Sequence, residues 1–219
     1  MPPRPATVSS SLLLLLAACA TSGGLQQGPV DVDAMNTWIE KVHIESERAR
    51  EAIGESLQRL NTLAAGKFDR DPATIVYARF VQAIDVADQA TRHFRGSVGP
   101  MQQAASPIFE QWEKNLTTIG NERLRQRGQM RCAVAKERYE AIAKVAVPAQ
   151  DGFEQYVKGL RDLATFLAHD LNAAAIDDIQ DEVKLVQRQA HGLDRDMQSC
   201  AEAARAYVEQ ATLPSAPGR

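Results

Sequence analysis

The stretch IDDIQDEVKLVQRQAHGLDRDMQSCAEAARAYVEQA, residues Ile176 to Ala211, decides how the rest of the chain is read. Within it Ile176, Ile179, Val183, Val186, Ala190, Leu193, Met197, Cys200, Ala204, Tyr207 and Ala211 follow one another at alternating steps of three and four. A helix turns once in 3.6 residues, so this spacing puts all of them on one stripe. Sustained over about five heptads, the stripe is a coiled-coil seam. A seam this narrow leaves water only by packing against other helices, so partners are expected upstream.

They are there. A first helix is expected over 34–65, with Asp33 as its N-cap and Gly66 as its stop. Asp71 and Pro72 then form a cap and first-turn pair for a second helix over 72–119. RGSVGP, Arg95 to Pro100, predicts a kink or break in that helix, and Pro107 a further weak point. Gly120 and Asn121 read as a stop and a new cap. A third helix follows over 122–168, with Leu124, Val134, Tyr139, Ile142, Val145, Phe153, Tyr156, Leu160, Leu163 and Leu167 at or near one face and Pro148 bending it. HDLN, His169 to Asn172, is the turn into the quoted stretch. Period-two alternation of β-branched and aromatic residues is missing, so strands are not expected. Short loops force antiparallel neighbours. The fold class is therefore all-α: an elongated antiparallel four-helix bundle or coiled coil over 34–212, with a disordered tail at 213–219. A rod of alternating hairpins is the competing arrangement.

The N-terminus reads as an address. Arg4 precedes an apolar run, Val8 to Ala18, of about ten residues, half of what spans a bilayer. Leu16-Ala17-Ala18-Cys19 looks like a bacterial lipobox, so 1–18 is expected to be a lipoprotein signal peptide and Cys19 the lipidation site, carrying palmitate-like acyl chains. Small, polar, Gly- and Pro-containing residues from 19 to 33 read as a flexible tether, whose last fourteen have a root-mean-square reach of about 20 Å. The expected location is the bacterial cell envelope. Ala20 after the cysteine favours the outer membrane, facing the periplasm.

Composition narrows the function. The formal net charge is −3 and aromatic residues make up 5%, so nothing resembles a basic, aromatic-studded nucleic-acid surface. No HExxH or paired Glu-x-x-His pattern is present, and His43 with Glu47 supplies two metal ligands at most. No metal and no cofactor is expected. Asp177, Asp178, Asp181 and Glu182 suit the positive end of a helix better than a cation site. His169 and Asp170 have the composition of an oriented base, but no nucleophile or oxyanion donor accompanies them. With Asn172 they read as a structural turn, and no catalytic residue is assigned. Arg123, Arg125, Arg127 and Arg131 form a local basic cluster that is a possible interaction surface for anionic lipid, cell-wall polymer or an envelope protein. Cys132 and Cys200 are not expected to pair. A turn near 170 sets Cys200 opposite residue 141, about 13 Å along the axis from Cys132, beyond the ~7 Å a disulfide allows.

Two stretches carry a resemblance. IFEQWEKNL, with Phe109, Trp112, Glu113 and Leu116, is followed by Asn121, Leu124 and Arg125; FLAHDLNAAAI supplies Phe166, Leu167, His169, Leu171, Asn172, Ala173 and Ile176. Over roughly Trp38 to Ala211 this is similar to a bacterial helical family known only as a domain of unknown function, number twenty-nine fifty-nine. Family members often carry a Lys-His-Asn-Leu-Asn-Ala turn, from which Ala168 and Asp170 depart. The resemblance implies secreted or lipid-anchored coiled-coil envelope proteins with no assigned activity. Anchor, tether and seam together lead to the expectation of a non-enzymatic, lipid-anchored interaction or spacer module, which a homo-oligomer would suit. The alternative is a carrier holding a lipid or small molecule between helices, where the alanine seam Ala83, Ala87, Ala90, Ala190 and Ala204 would leave room.

Overall fold

The computed structural model describes residues 32–66, 68 and 71–211. The expected signal peptide at 1–18, Cys19, the tether up to Asp31 and the tail at 213–219 lie outside the described residues. The described chain is helical: α1 Asp33–Ala64, α2 Ala73–Thr117, α3 Glu122–His169, the short α4 Ala173–Asp178, and α5 Gln180–Ala211. No strand occurs among the described residues. α1 and α3 each pack against both α2 and α5, which makes an antiparallel four-helix bundle rather than a row of hairpins.

Local chemistry places most boundaries where they are expected. The Asn121 carboxamide oxygen accepts from the Leu124 N–H at 3.2 Å, and that of Asn172 from the Ala175 N–H at 2.9 Å. Each satisfies an amide that a helix start leaves without a partner. Gly66 ends α1 with φ +62°, a left-handed conformation in which a Cβ is strained. Two cap assignments shift by one residue: Val32 and Pro72, not Asp33 and Asp71, occupy the positions before α1 and α2.

The expected break at 95–100 is absent, because α2 runs unbroken through Pro100 and Pro107, as α3 does through Pro148. An internal proline costs about 3 kcal/mol. Phe94, Val98, Met101, Ile108 and Phe109 are all buried on either side of the two α2 prolines. Burying each such side chain contributes about 1.5–3 kcal/mol, so packing outweighs the backbone penalty. The seam quoted above is, conversely, not one helix. It turns at Ile179, where the Gln180 carboxamide inserts and donates to the carbonyls of Ile176 at 2.9 Å and Ala64 at 3.1 Å. One side chain thus occupies an acceptor of the interrupted ladder and another at the end of α1. Ile179 stays buried, so the stripe survives the interruption.

The register follows from pairs between helices. On the α1–α5 face, His43 Nδ1 donates to the Ala201 carbonyl at 3.1 Å and Arg50 pairs with Asp194 at 3.0 Å. Between α2 and α3, Asp88 pairs with Arg161 at 2.9 Å and Phe109 meets Tyr139 with ring centroids 5.7 Å apart. Across the diagonal, the Tyr156 hydroxyl lies 2.8 Å from Ser56 Oγ. Ser56 Oγ also lies 2.7 Å from the Ala52 carbonyl and 3.1 Å from that of Ile53, so the two hydroxyls join one hydrogen-bond cluster with the α1 backbone.

Burial pushes the Tyr156 hydroxyl up to about 12, partly offset by the Ser56 hydrogen bond. A tyrosine whose folded value is raised contributes stability that is fully present below its unfolded value, near 10, and lost as pH climbs through the folded one. Urea unfolding followed by circular dichroism should therefore show stability falling between about pH 10 and 12. Tyr156→Phe should cost about 1 kcal/mol at neutral pH, the worth of one buried hydrogen bond, and make the alkaline fall shallower.

Candidate functional site

The four long helices differ in length, and the difference builds the most distinctive feature of the molecule. α2 and α3 have 45 and 48 residues, α1 and α5 only 32 each. The His93–Glu45 approach at 3.9 Å and the His43–Ala201 bond align the start of α1 and the end of α5 with about Ala105 on α2. Beyond that level α2 and α3 continue alone for about 12 residues, a hairpin tip projecting about 18 Å.

The tip has a thin core of its own, in which Leu116 and Cys132 are buried. The helices come close at Gly128, where an added Cβ would lie 2.3 Å from Leu116 Cδ2. Glycine inside a helix costs about 1 kcal/mol relative to alanine, and here it makes room for the leucine. With no third helix to cover them, Leu124 is 55% and Met130 62% exposed. Val134, at the edge of the step, is 42% exposed. Leu124 and Val134 were expected on the core-facing stripe of the third helix; α1 and α5 stop short of Leu124, and Val134 borders the cleft at the step rather than a packed core.

At the step between bundle and tip lies a cleft of about 610 Å³. Val32 and Asn36 from the start of α1, Tyr207 and Gln210 from the end of α5, Trp112 from α2, and Arg127, Met130, Arg131, Val134, Ala135 and Arg138 from α3 line it. Burial raises the Tyr207 hydroxyl to about 12, and the nearby Arg138 pulls it back only partly. The Asn36 Oδ1 atom is buried there without a hydrogen-bond partner among the described residues.

The basic cluster expected from the sequence is divided by the helix. Arg127 and Arg131 line the notch. Arg125 is engaged elsewhere, paired with Glu122 and donating to the Ile119 carbonyl at 3.4 Å, and it borders a second cleft with Cys132. Arg123 is exposed near the start of α3. Arg138 completes the notch from the same helix; its place, seven residues after Arg131, was a signal in the sequence that the clustered arginines obscured.

The turn residues lie at the opposite end of the bundle. His169 is exposed at the last position of α3, and the Asn172 amide donates to the Asp170 carboxylate while its oxygen caps α4. His43 donates to α5 rather than standing beside Glu47 as a ligand pair, and Glu47 approaches Arg50 at 3.4 Å. Among the described residues no group of three or more His, Cys, Asp or Glu could hold a metal ion. Asp181 pairs with Lys184 at 2.8 Å, which holds its carboxyl below the usual range. The alanines of the seam are buried in packed helix contacts, with Ala87, Ala190 and Ala204 at zero exposure.

Cys132 and Cys200 are both free and buried. Gly152 against Leu193 and Gly159 against Val186 put Cys200 opposite residue 145. Cys132 is about 20 Å from that level, further than the sequence-based register suggests. Burial pushes the Cys200 thiol up to about 11 and, more weakly, raises Cys132.

Residues 27–211 match the model of a family described as "Protein of unknown function (DUF2959)", and the chain belongs to that family. No curated protein matches the chain.

Thiol chemistry reports on the tip separately from the bundle. With a neutral-pH alkylating reagent, Cys132 should react before Cys200, since it borders an open cleft and Cys200 reacts only through unfolding. Gly128→Val should speed labelling of Cys132 by spreading α2 from α3 at Leu116, and leave Cys200 protected. Mass spectrometry of the two peptides over time reads both rates.

Proposed function

We propose that this family member is a lipid-anchored, non-enzymatic protein of the bacterial cell envelope, acting as a helical spacer and interaction module. The observation that carries the reading is where the bundle begins. α1 starts at Asp33, fourteen residues after Cys19 of the lipobox-like Leu16-Ala17-Ala18-Cys19. An anchor there holds the notched end of the bundle towards the membrane. Ala65 and the turn at 170–172 then lie about 48 Å further along the bundle, the length of the 32 residues of α1.

Several features support a binding rather than a chemical role. The notch gathers arginines and apolar side chains, without a nucleophile and base in hydrogen-bonding reach. His169 and Asp170 sit on an open turn. No described helix is long and apolar enough to cross a membrane, so a lipid on Cys19 would supply the attachment. Ala20 after the cysteine favours the outer membrane, facing the periplasm. The carrier alternative gains nothing from the alanine seam, which is packed shut.

Metabolic labelling with an alkyne fatty acid tests the anchor. The wild-type chain should take up label and fractionate with membranes; Cys19→Ser should take up none. Undiminished labelling of Cys19→Ser would end the reading.

A further inference from the structure

Arg127, Arg131 and Arg138 line the α3 wall of the notch, and none has a carboxylate within ion-pair distance among the described residues. Elsewhere on the bundle Arg50, Arg92, Arg95 and Arg161 each lie against an acidic partner. The imbalance is written into the chain. Residues 122–138 hold six cations against two carboxylates, Glu122 and Glu137, although the whole chain has a net charge of −3. Glu122 pairs with Arg125, and Glu113 lies 3.6 Å from Lys136, so neither carboxylate is spent on the notch arginines. Cations on one wall beside an apolar, low-dielectric floor favour a bound anion. Val32, Trp112, Val134 and Tyr207 form that floor, so the anion that fits also carries an apolar portion.

We propose that the notch is a docking site for an anionic phospholipid of the membrane to which the chain is anchored, its phosphate among Arg127, Arg131 and Arg138 and its upper acyl region against Trp112 and Val134. The choice of occupant rests on the anchor reading. The notch lies at the end from which the chain runs back to Cys19, and a tether with a reach of about 20 Å lets that flank lie against the bilayer, with the charged tip along the surface. Met130 and Leu124 are exposed on the same tip. A basic patch beside a lipid anchor is drawn to the anionic headgroups of the same leaflet. The chain's own flanking segments are poor competitors, because residues 19–31 bring one carboxylate, Asp31, and residues 212–219 bring no acidic side chain.

Trp112 is a probe built into the site. In the full chain carrying Trp38→Phe, it is the one remaining tryptophan. Brominated phosphatidylglycerol in phosphatidylethanolamine vesicles should quench its fluorescence, and brominated phosphatidylcholine in the same vesicles should not. High salt should abolish the quenching, as should Arg127→Gln with Arg131→Gln and Arg138→Gln, with helix content and Cys200 protection unchanged as controls for folding. Equal quenching by both lipids overturns the proposal. So does absence of quenching, including the case where the arginine variant instead loses binding to cell-wall sacculi. Flotation at high salt reads the anchor separately. A chain that fails to float yet is quenched by phosphatidylglycerol at low salt loses the anchor and keeps the notch; one that floats and is not quenched does the reverse.

Discussion

Each long helix carries only a narrow apolar stripe, and no stripe leaves water unless two neighbours cover it. That requirement organises the molecule. Four stripes of small and branched residues close on one another, with Ala87, Ala190 and Ala204 letting the backbones approach and Phe80, Phe94, Phe153 and Tyr156 filling the space between. Apolar stripes slide easily by a turn, since one alanine resembles the next. Polar groups inside the seam resist that sliding: the Tyr156 hydroxyl has its partner only when Ser56 is level with it, and Gln180 only when Ala64 is. Leaving a buried polar group without a partner costs about 1–3 kcal/mol, enough to prefer one register over its neighbours.

The same requirement explains the tip. α2 and α3 outlast α1 and α5, so their last turns have one neighbour where the rest of the bundle has two. The response is a close two-helix approach through Gly128 on one side and exposed Met130 and Leu124 on the other. At the step, side chains that would belong to a core border a cleft, and arginines that would point into water gather around it. The proposed spacer and the proposed docking end would both follow from one mismatch in helix length. Family membership adds no activity to this picture, and the chemistry of the notch is the most specific thing the molecule presents.

Legibility varied with the range of the interaction. The caps at Asn121 and Asn172 and the stop at Gly66 depend on atoms within a few residues, and each is where its local chemistry puts it. Pro100 and Pro107 show the opposite. Read locally they break a helix; in the fold they sit in one unbroken helix, because Phe94, Met101 and Phe109 are buried by helices that arrive from far along the chain. The seam from Ile176 to Ala211 is periodic without a miss, yet it turns at Ile179, where Gln180 finds the end of α1. Leu124 and Val134 share the phase of a core stripe and are exposed, because phase says which side of a helix is apolar and nothing about whether a partner reaches that far.

By itself, then, the amino-acid sequence determined the periodicity, and with it an all-helical bundle, its approximate boundaries and the absence of a recognisable catalytic motif. It did so because spacing and capping are properties of neighbours along the chain. Only the tertiary structure decided how the helices align, and so where two of them run on alone. It also separated Arg125, held by Glu122 and Ile119, from Arg127 and Arg131, and joined those two to Arg138, Trp112 and Tyr207. Such groupings depend on helix length and register between segments up to 178 residues apart, from Val32 to Gln210, and no local pattern encodes the distance between them.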